Sequence, residues 1–303
     1  MTGYFFYRIG EIIALSLPLK AAYSVAVFFS DVHYMFAFRD RQSVLANLKL
    51  VFPEKSVRQV KGIRIHIFRN FAKYLVDFFR FKEVNTEYIH RYVKVENASF
   101  VTRVLSKGKG CILVTAHIGN WELGGAIIAM LGYPLWAVAL PHKSRKVDRF
   151  FNQRRESKGV HVMPLGKALR KSFSVLRENK VLALLGDRIF GMENGVPVNF
   201  FGKRVVLPKG PAVLSLATGA SIVPVFMIRN PDDTFTLHFE EPIEPGVTLP
   251  EKNENDLEML RLKHVSSDRI DELTDKFKCV IERYIRKYPE QWYMFPVFWN
   301  EAK

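Results

Sequence analysis

The chain has 303 residues, of which 48% are hydrophobic and 25% charged, so it can bury a sizeable core and is not an intrinsically disordered chain. Two distant cysteines, Cys111 and Cys279, exclude a disulfide framework and a cysteine-based metal cluster, and they indicate a reducing compartment. Lys and Arg together number 45 against 30 Asp and Glu, and this net charge of +15 favours an anionic partner.

The N-terminus is apolar from residue 3 to residue 29, but charged residues and Pro18 interrupt it. A secretory signal needs an uninterrupted apolar core, and charges near the centre of a transmembrane helix are costly. We therefore predict two apolar helices that meet near Pro18 and lie in a membrane interface. A single tilted span and a buried helical hairpin are the alternatives. Residues 1–40 are accordingly predicted to be a membrane-associating helical segment, and residues 41–303 the main domain.

Residues 43–81 have the spacing of apolar residues that is typical of helices, with a break at Pro53 and a helix cap at Ser56. After residue 109 short apolar runs alternate with amphipathic stretches, which predicts an α/β fold with a mostly parallel central sheet flanked by helices. The predicted strands are 111–116, 135–140, 160–165, 181–186, 221–228 and 234–243, and the predicted helices are 120–131, 144–158, 167–178, 209–218 and 267–288. A polar loop is predicted between the fourth of these strands and the helix at 209.

The end of the first predicted strand carries the best candidates for chemistry. Ligands of open α/β sheets gather at the carboxyl ends of strands, and His117 lies there. Gly119 permits a tight turn, Asn120 can cap the next helix, and Glu122 in its first turn can fold back towards the imidazole. His117 would then act as a general base oriented by Glu122, with backbone N–H groups near 118–122 stabilising an oxyanion. The alternative is a structural histidine.

Other catalytic signatures are absent from the sequence. It has no Gly-x-Ser-x-Gly elbow, no His-Glu-x-x-His zinc motif, and neither of the glycine-rich nucleotide-binding patterns. With no obvious nucleophile beside His117, direct transfer to a substrate hydroxyl is the simplest reaction.

Several blocks in order carry a family resemblance. VTAHIGNWELGG (114–125) contains a His, four residues and then an acidic residue, as in the glycerolipid and lysophospholipid acyltransferase superfamily. The wider series resembles its bacterial lipid A biosynthesis lauroyl/myristoyl acyltransferase branch over roughly residues 40–230. The further blocks are RQSVLANLKLVFP (41–53), Asn152 with Arg155, LLGDR (184–188), and residues 196–226. Arg188 departs from the pattern, since the family usually has Gln there.

This resemblance implies transfer of a fatty acyl chain from an acyl thioester to a hydroxyl of a membrane glycolipid, in a late step of lipid A biosynthesis. The donor would be acyl carrier protein or coenzyme A, without a metal or redox cofactor, at the cytoplasmic face of the inner membrane. Residues 41–303 would be the acyltransferase domain. The implied catalytic residues are His117 and Glu122, and the implied substrate-binding residues are Asn120, Arg155 and Asp187. Phe200, Phe201 and Phe226 line an acyl channel or pack in the core.

Two other functions remain open. A phosphatidylinositol-mannoside-type or other lysolipid acyltransferase shares these motifs. A non-catalytic basic membrane or nucleic-acid binding protein would explain the stretch from Lys143 to Lys209, which has 16 basic and five acidic residues. Because aromatic residues are not regularly interleaved there, as a base-stacking platform would need, we predict that this stretch binds anionic groups of the donor or acceptor rather than nucleic acid.

Overall fold

In the computed structural model, which describes residues 2–188, 195–246 and 266–298, the chain begins with four helices. They are α1 (Thr2–Ser16), α2 (Leu19–Phe36), α3 (Phe38–Val51) and α4 (Val57–Phe79). The predicted break at Pro18 is confirmed, as expected of a residue that has no N–H to donate. The predicted cap at Ser56 is also confirmed, because its hydroxyl accepts from the Gln59 N–H while the Gln59 side chain accepts from the Ser56 N–H.

A seven-stranded sheet forms the centre of the protein, in the order β1-β9-β8-β2-β5-β3-β4. Its strands are β1 (Val93–Glu96), β2 (Cys111–Thr115), β3 (Leu135–Ala139), β4 (His161–Pro164), β5 (Val181–Leu185), β8 (Ser221–Arg229) and β9 (Phe235–Phe239). All neighbours are parallel except β8 and β9. The predicted mostly parallel sheet is therefore confirmed, and β1 is an additional short strand.

Helices cover both faces of the sheet. The remaining ones are α5 (Thr86–Tyr92), α6 (Ser99–Leu105), α7 (Trp121–Met130), α8 (Arg145–Glu156), α9 (Ala168–Arg177), α10 (Gly210–Thr218) and α11 (Ser267–Lys287). Successive strand residues point to opposite faces, so Leu113 packs with Leu123 of α7 while Ile112 packs with Phe277 of α11. Two apolar clusters result, one on each face.

The polar loop predicted before α10 lies outside the described residues from 189 to 194, and the prediction is wrong for the residues that follow. Residues 195–208 form an antiparallel hairpin of β6 (Gly195–Phe200) and β7 (Lys203–Pro208). Its two turn residues, Phe201 and Gly202, both have positive φ, as a mirror-image hairpin turn needs. Phenylalanine is not a residue that signals such a turn, and polar residues alternate with the buried ones, so the sequence looked like a loop.

Phe200, Phe201 and Phe226 belong to the core rather than to a channel. All three are buried in the apolar cluster on the α11 face, and the ring of Phe226 stacks on Tyr284 of α11 at 3.9 Å between centroids. A cavity of about 470 Å³ lies elsewhere, between α1, α2 and α4. The part of the prediction that placed these residues on a channel wall is therefore wrong.

The N-terminal helices expose much apolar surface. Eleven large hydrophobic side chains between Phe5 and Phe38 are exposed, while Glu11 is buried and paired with Arg8 and with Arg154 of α8. No single helix in the described ranges is long and apolar enough to cross a membrane; α2 and α3 meet the length and composition criteria together, but with a 92° bend between them. Membrane association of residues 1–40 stays a prediction.

The segment after α11 returns to the helices at the start of the chain. Asn47 of α3 is buried, and its Nδ2 donates to the backbone carbonyls of Met294 and Pro296 at 2.9 and 2.8 Å. Its Oδ1 accepts from the Phe298 N–H at 3.0 Å. Asn70 of α4 donates to the Glu290 carbonyl at 2.9 Å. These bonds hold residues 289–298, here called the C-terminal strap, against α3 and α4.

We predict that Asn47→Ala destabilises the protein. The buried backbone groups of Met294 and Phe298 and the part-buried Pro296 carbonyl would lose their partner. Each such loss costs about 1 kcal/mol, so the free energy of unfolding should fall by about 2–3 kcal/mol. Urea denaturation followed by far-UV circular dichroism measures it. Gln153→Ala, at an exposed position of α8, is the control and should stay within about 0.5 kcal/mol of the parent. Equal stabilities for the two variants would contradict the assigned role of Asn47.

Candidate active site

The turn between β2 and α7 lies directly against β8. Gly119 in this turn has a φ of +62°, and a Cβ atom there would lie 2.0 Å from the Met227 carbonyl oxygen. No side chain fits at that distance, so only glycine allows the turn to approach β8 so closely. The tight turn that Gly119 predicts is confirmed.

Backbone hydrogen bonds fix this turn from two sides. The Asn120 N–H donates to the Met227 carbonyl of β8 at 2.7 Å. On the other side, the Gly119 N–H donates to the Gln291 carbonyl at 2.9 Å, and the Tyr293 N–H donates to the His117 carbonyl at 2.8 Å. The turn is thus clamped between β8 and the C-terminal strap, and the backbone that carries His117 has little freedom.

The carboxylate that faces the His117 ring is that of Asp187. Strands β2 and β5 are parallel neighbours with Thr115 opposite Leu185, so residues two positions further along each strand also meet. The His117 Nδ1 lies 2.8 Å from Asp187 Oδ1, and the His117 backbone N–H donates to Asp187 Oδ2 at 2.9 Å. Asp187 is completely buried, whereas the His117 side chain keeps 15% of its surface exposed.

The surroundings keep Asp187 ionised. Burial alone would raise its pKa, but the attraction of a protonated His117, the hydrogen bonds from His117 and the Arg188 charge outweigh burial and hold the pKa below its ordinary 3.8. A carboxylate in this position requires the proton of the neutral imidazole on Nδ1. The Nε2 of His117 is then left with a lone pair, which is the arrangement of a general base.

The predicted contact between Glu122 and His117 is wrong, because Glu122 is bound by Arg155. The Arg155 Nε and Nη2 donate to the two Glu122 carboxylate oxygens at 2.8 and 2.5 Å, and both side chains are largely buried. Arg155 Nη1 also donates to Asn152 Oδ1 at 2.9 Å, which explains the Asn-x-x-Arg spacing. The first turn of α7 directs Glu122 towards α8 rather than back over the sheet edge.

The substrate-binding roles implied for Asn120 and Arg155 do not fit their contacts. Asn120 is 2% exposed, caps α7 by accepting from the Leu123 N–H at 3.0 Å, and donates to Asp77 at 2.8 Å. Both the oxygen and the nitrogen of its amide therefore have partners inside the protein. The planar fork of Arg155 already holds Glu122, so it is not free to bind a phosphate in the same bidentate manner. Asp187 belongs to the site, but as the partner of His117 rather than as a contact to substrate.

Other residues complete the site. Arg188, where the family usually has Gln, donates through Nη2 to the Tyr293 carbonyl at 2.5 Å and so joins the end of β5 to the C-terminal strap. The ring of Trp121 packs edge-on against His117 at 5.1 Å and stacks on Tyr74 of α4 at 4.7 Å. The contact between the C-terminal strap and the turn at His117 was not predicted from the sequence. The strap is visible in the sequence only as an aromatic run, and nothing in that run indicates that it lies beside His117.

Comparison with known proteins shows a family of acyltransferases and several relatives within it. The sequence profile of bacterial lipid A biosynthesis acyltransferases matches residues 1–300. A phosphatidylinositol mannoside acyltransferase from Mycolicibacterium smegmatis is 32% identical over 160 residues, 52% of each chain. A lipid A biosynthesis palmitoleoyltransferase from Escherichia coli is 24% identical over 187 residues, 61% of this chain and 60% of the relative. A lipid A biosynthesis acyltransferase from Haemophilus influenzae is 22% identical over 218 residues, 72% of this chain and 68% of the relative. The matched stretch spans about half the length of the mannoside relative.

We predict that Glu122 and Arg155 are coupled in stability. Removing one partner of a buried pair leaves an uncompensated charge, so Glu122→Gln or Arg155→Met alone should lower the free energy of unfolding by about 3 kcal/mol. The double variant should recover a large part of this loss, because it buries neither charge. A double-mutant cycle by urea denaturation measures the coupling. Additive effects of the two substitutions would show that the pair does not act as a unit.

Proposed function

The chain belongs to the bacterial lipid A biosynthesis acyltransferase family, and on this premise we propose that it transfers a fatty acyl chain from an acyl thioester to a hydroxyl of a membrane glycolipid. The donor is acyl carrier protein or coenzyme A. The observation that carries the proposal is the His117–Asp187 pair at the carboxyl edge of the sheet, with Nε2 of His117 available as a base. Such a pair is suited to removing a proton from an alcohol. A protein that only binds a ligand does not need it.

In the proposed reaction, His117 Nε2 takes the proton of the acceptor hydroxyl. The hydroxyl oxygen attacks the carbonyl carbon of the thioester at the same time. Asp187 stabilises the imidazolium that forms. The resulting tetrahedral intermediate carries an oxyanion. When it collapses, the carbon–sulfur bond breaks and the leaving thiolate takes the proton from His117. An ester and a free thiol are the products, and His117 returns to its neutral form.

We propose fewer backbone N–H donors for the oxyanion than the whole range 118–122 that the sequence analysis named. The N–H groups of Ile118, Gly119 and Asn120 already donate to backbone carbonyls. The Trp121 and Glu122 N–H groups lie in the first turn of α7, where no intrahelical acceptor exists, at the positive end of the helix dipole. We assign the oxyanion to these two groups.

Lipid A and phosphatidylinositol mannosides are the two candidate acceptor classes. The family profile covers nearly the whole chain and favours a late step of lipid A biosynthesis. The mannoside acyltransferase match has higher identity over a shorter stretch, and this supports the second candidate. Mass spectrometry of membrane glycolipids from cells with and without the gene separates them: loss of an acyl group from lipid A supports the first, and loss from a mannoside the second.

We further propose that α1 and α2 hold the enzyme on the cytoplasmic face of the inner membrane. Their exposed phenylalanines form an apolar surface, and the cavity of about 470 Å³ opens between them and α4. Phe71 lines this cavity and packs on Tyr74, whose ring stacks on Trp121 beside His117. The rings of Phe71, Tyr74 and Trp121 would then connect a lipid chain in this cavity to the His117 ring.

We expect His117→Ala to lower turnover by about 10³-fold or more, since general-base catalysis and orientation are both lost. Asp187→Asn should lower it by about 10²–10⁴-fold, because the amide holds the wrong imidazole tautomer. Acyl transfer from a dodecanoyl thioester to the acceptor glycolipid, followed by mass spectrometry, measures both. His66→Ala, an exposed histidine of α4, is the matched control and should retain full activity. Near-parental turnover by His117→Ala would overturn the mechanism.

Membrane binding is tested separately by co-sedimentation with vesicles of anionic phospholipid. The parent protein should sediment, and high salt or alkali should release part of it, as interfacial binding requires. Replacing Phe5, Phe6, Phe28 and Phe29 by Ser should leave most of the protein in the supernatant. Val57→Ser is the control, because Val57 is a half-exposed apolar residue outside α1 and α2. A parent protein that stays in the supernatant contradicts the proposal.

A further inference from the structure

A second exposed apolar surface lies far from the N-terminal helices in sequence. Leu140, Leu165 and Leu169 are 52%, 39% and 51% exposed. Basic residues are close to them in the chain. The three leucines and these cations are here called the leucine–basic patch, and its basic members are Lys143, Arg145, Lys146, Arg149 and Arg170.

The three leucines are neighbours in space. Strands β3 and β4 are parallel, with Ala139 opposite Pro164, so Leu140 and Leu165 leave adjacent strands at the same level. Adjacent strands are about 4.8 Å apart. Leu169 follows Leu165 by four residues, through a single turn of 3-10 helix (Leu165–Lys167) into α9, so the two residues lie about one helical turn apart. The leucines therefore form one apolar spot at the edge of the sheet.

The cations around this spot are not neutralised. All five are exposed, and in the described parts of the chain none has a carboxylate within ion-pairing distance. Asp148 of α8 is turned to internal partners: its Oδ1 accepts from the His142 N–H at 2.9 Å and its Oδ2 from Asn152 at 3.1 Å. The patch consequently presents a positive field around an apolar centre.

The patch lies at the edge of the sheet that carries the active site. Leu140 follows β3, and β3 pairs in parallel with β5, whose end leads to Asp187. His117 follows β2, and in the order β2-β5-β3-β4 the strand β3 lies two positions away from β2. At the usual strand spacing this is about 10 Å. A molecule bound at the patch is therefore within reach of the base.

We propose that the leucine–basic patch is the docking surface for an acidic protein that carries the acyl thioester, and that it contacts an acidic helix with apolar side chains. The assignment rests on the proposed acyl transfer. An acidic helix matches five cations, and its apolar residues match three leucines, whereas a small thioester carrier such as coenzyme A would leave most of this surface unused.

An anionic membrane fits the patch less well than an acidic protein does. The exposed apolar surface of α1 and α2 is rich in phenylalanine. These two helices pack on the same face of the sheet as α8. The patch, in contrast, wraps around the sheet edge from α8 to α9, which packs on the opposite face. Its apolar part has none of the tryptophan or tyrosine that marks membrane interfaces. A surface that turns the corner of the sheet is not flat, and a protein partner can follow it where a planar membrane does not.

The test compares two donors that differ only in their carrier: dodecanoyl acyl carrier protein and dodecanoyl coenzyme A. The Arg145→Glu/Lys146→Glu variant should raise the KM for the protein-bound donor by about tenfold and change kcat little, because docking and not chemistry is impaired. The KM for dodecanoyl coenzyme A should change less than about threefold. Arg58→Glu/Lys61→Glu, an exposed pair on α4 with the same charge change, is the matched control and should leave both KM values unaltered.

Leu169→Ser gives an uncharged second probe and should also raise only the KM for the protein-bound donor. Equal changes for both donors, or none, would overturn the docking assignment. So would weaker sedimentation with anionic vesicles at an unchanged KM, which would assign the patch to the membrane. If the parent protein transfers from neither donor, the proposed function fails. The patch is then judged by fluorescence anisotropy of labelled acyl carrier protein, whose binding must still depend on Arg145 and Lys146.

Discussion

Asp187 accepts two hydrogen bonds from His117, one from the backbone N–H and one from the ring. Both bonds require β2 and β5 to be parallel neighbours in a fixed register, since a shift of one residue would turn one of the side chains to the other face. The β2–α7 turn must also be rigid, and contacts from β8 and the C-terminal strap on either side make it so. The sheet order, the close packing at Gly119 and the strap therefore all support one contact.

Buried ion pairs extend this rigidity to the N-terminal helices. Asp77 of α4 is fully enclosed and accepts from Tyr23 of α2, Asn120 at the start of α7, and Arg229 at the end of β8. Burial raises the pKa of Asp77 despite the opposing effect of Arg229 and the hydrogen bonds. The apolar segment is thus linked to the helix that follows His117 through a single carboxylate. This link joins the helices proposed to bind the membrane and the proposed base into one unit.

The surface divides into regions of different chemistry. The N-terminal helices expose phenylalanine next to a cavity, as an apolar lipid chain requires. The leucine–basic patch exposes cations together with leucine, as the proposed acidic protein partner requires. In the proposed reaction, acceptor and donor then approach His117 from different directions and do not compete for one surface. The basic excess between Lys143 and Lys209 is partly explained, because Arg154 and Arg155 are used inside the protein for ion pairs with Glu11 and Glu122.

The sequence by itself determined the α/β architecture, the break at Pro18, the caps at Ser56 and Asn120, and the position of His117 at a strand end. These follow from local periodicity and backbone chemistry, which neighbouring residues carry. It did not determine which carboxylate meets His117, since Glu122 is close in the chain and Asp187 is 70 residues away. Only the strand order placed β5 beside β2. Only the packing of α8 on α7 brought Arg155 into contact with Glu122. Long-range pairing of this kind depends on how whole elements pack, and no short spacing in the chain records it.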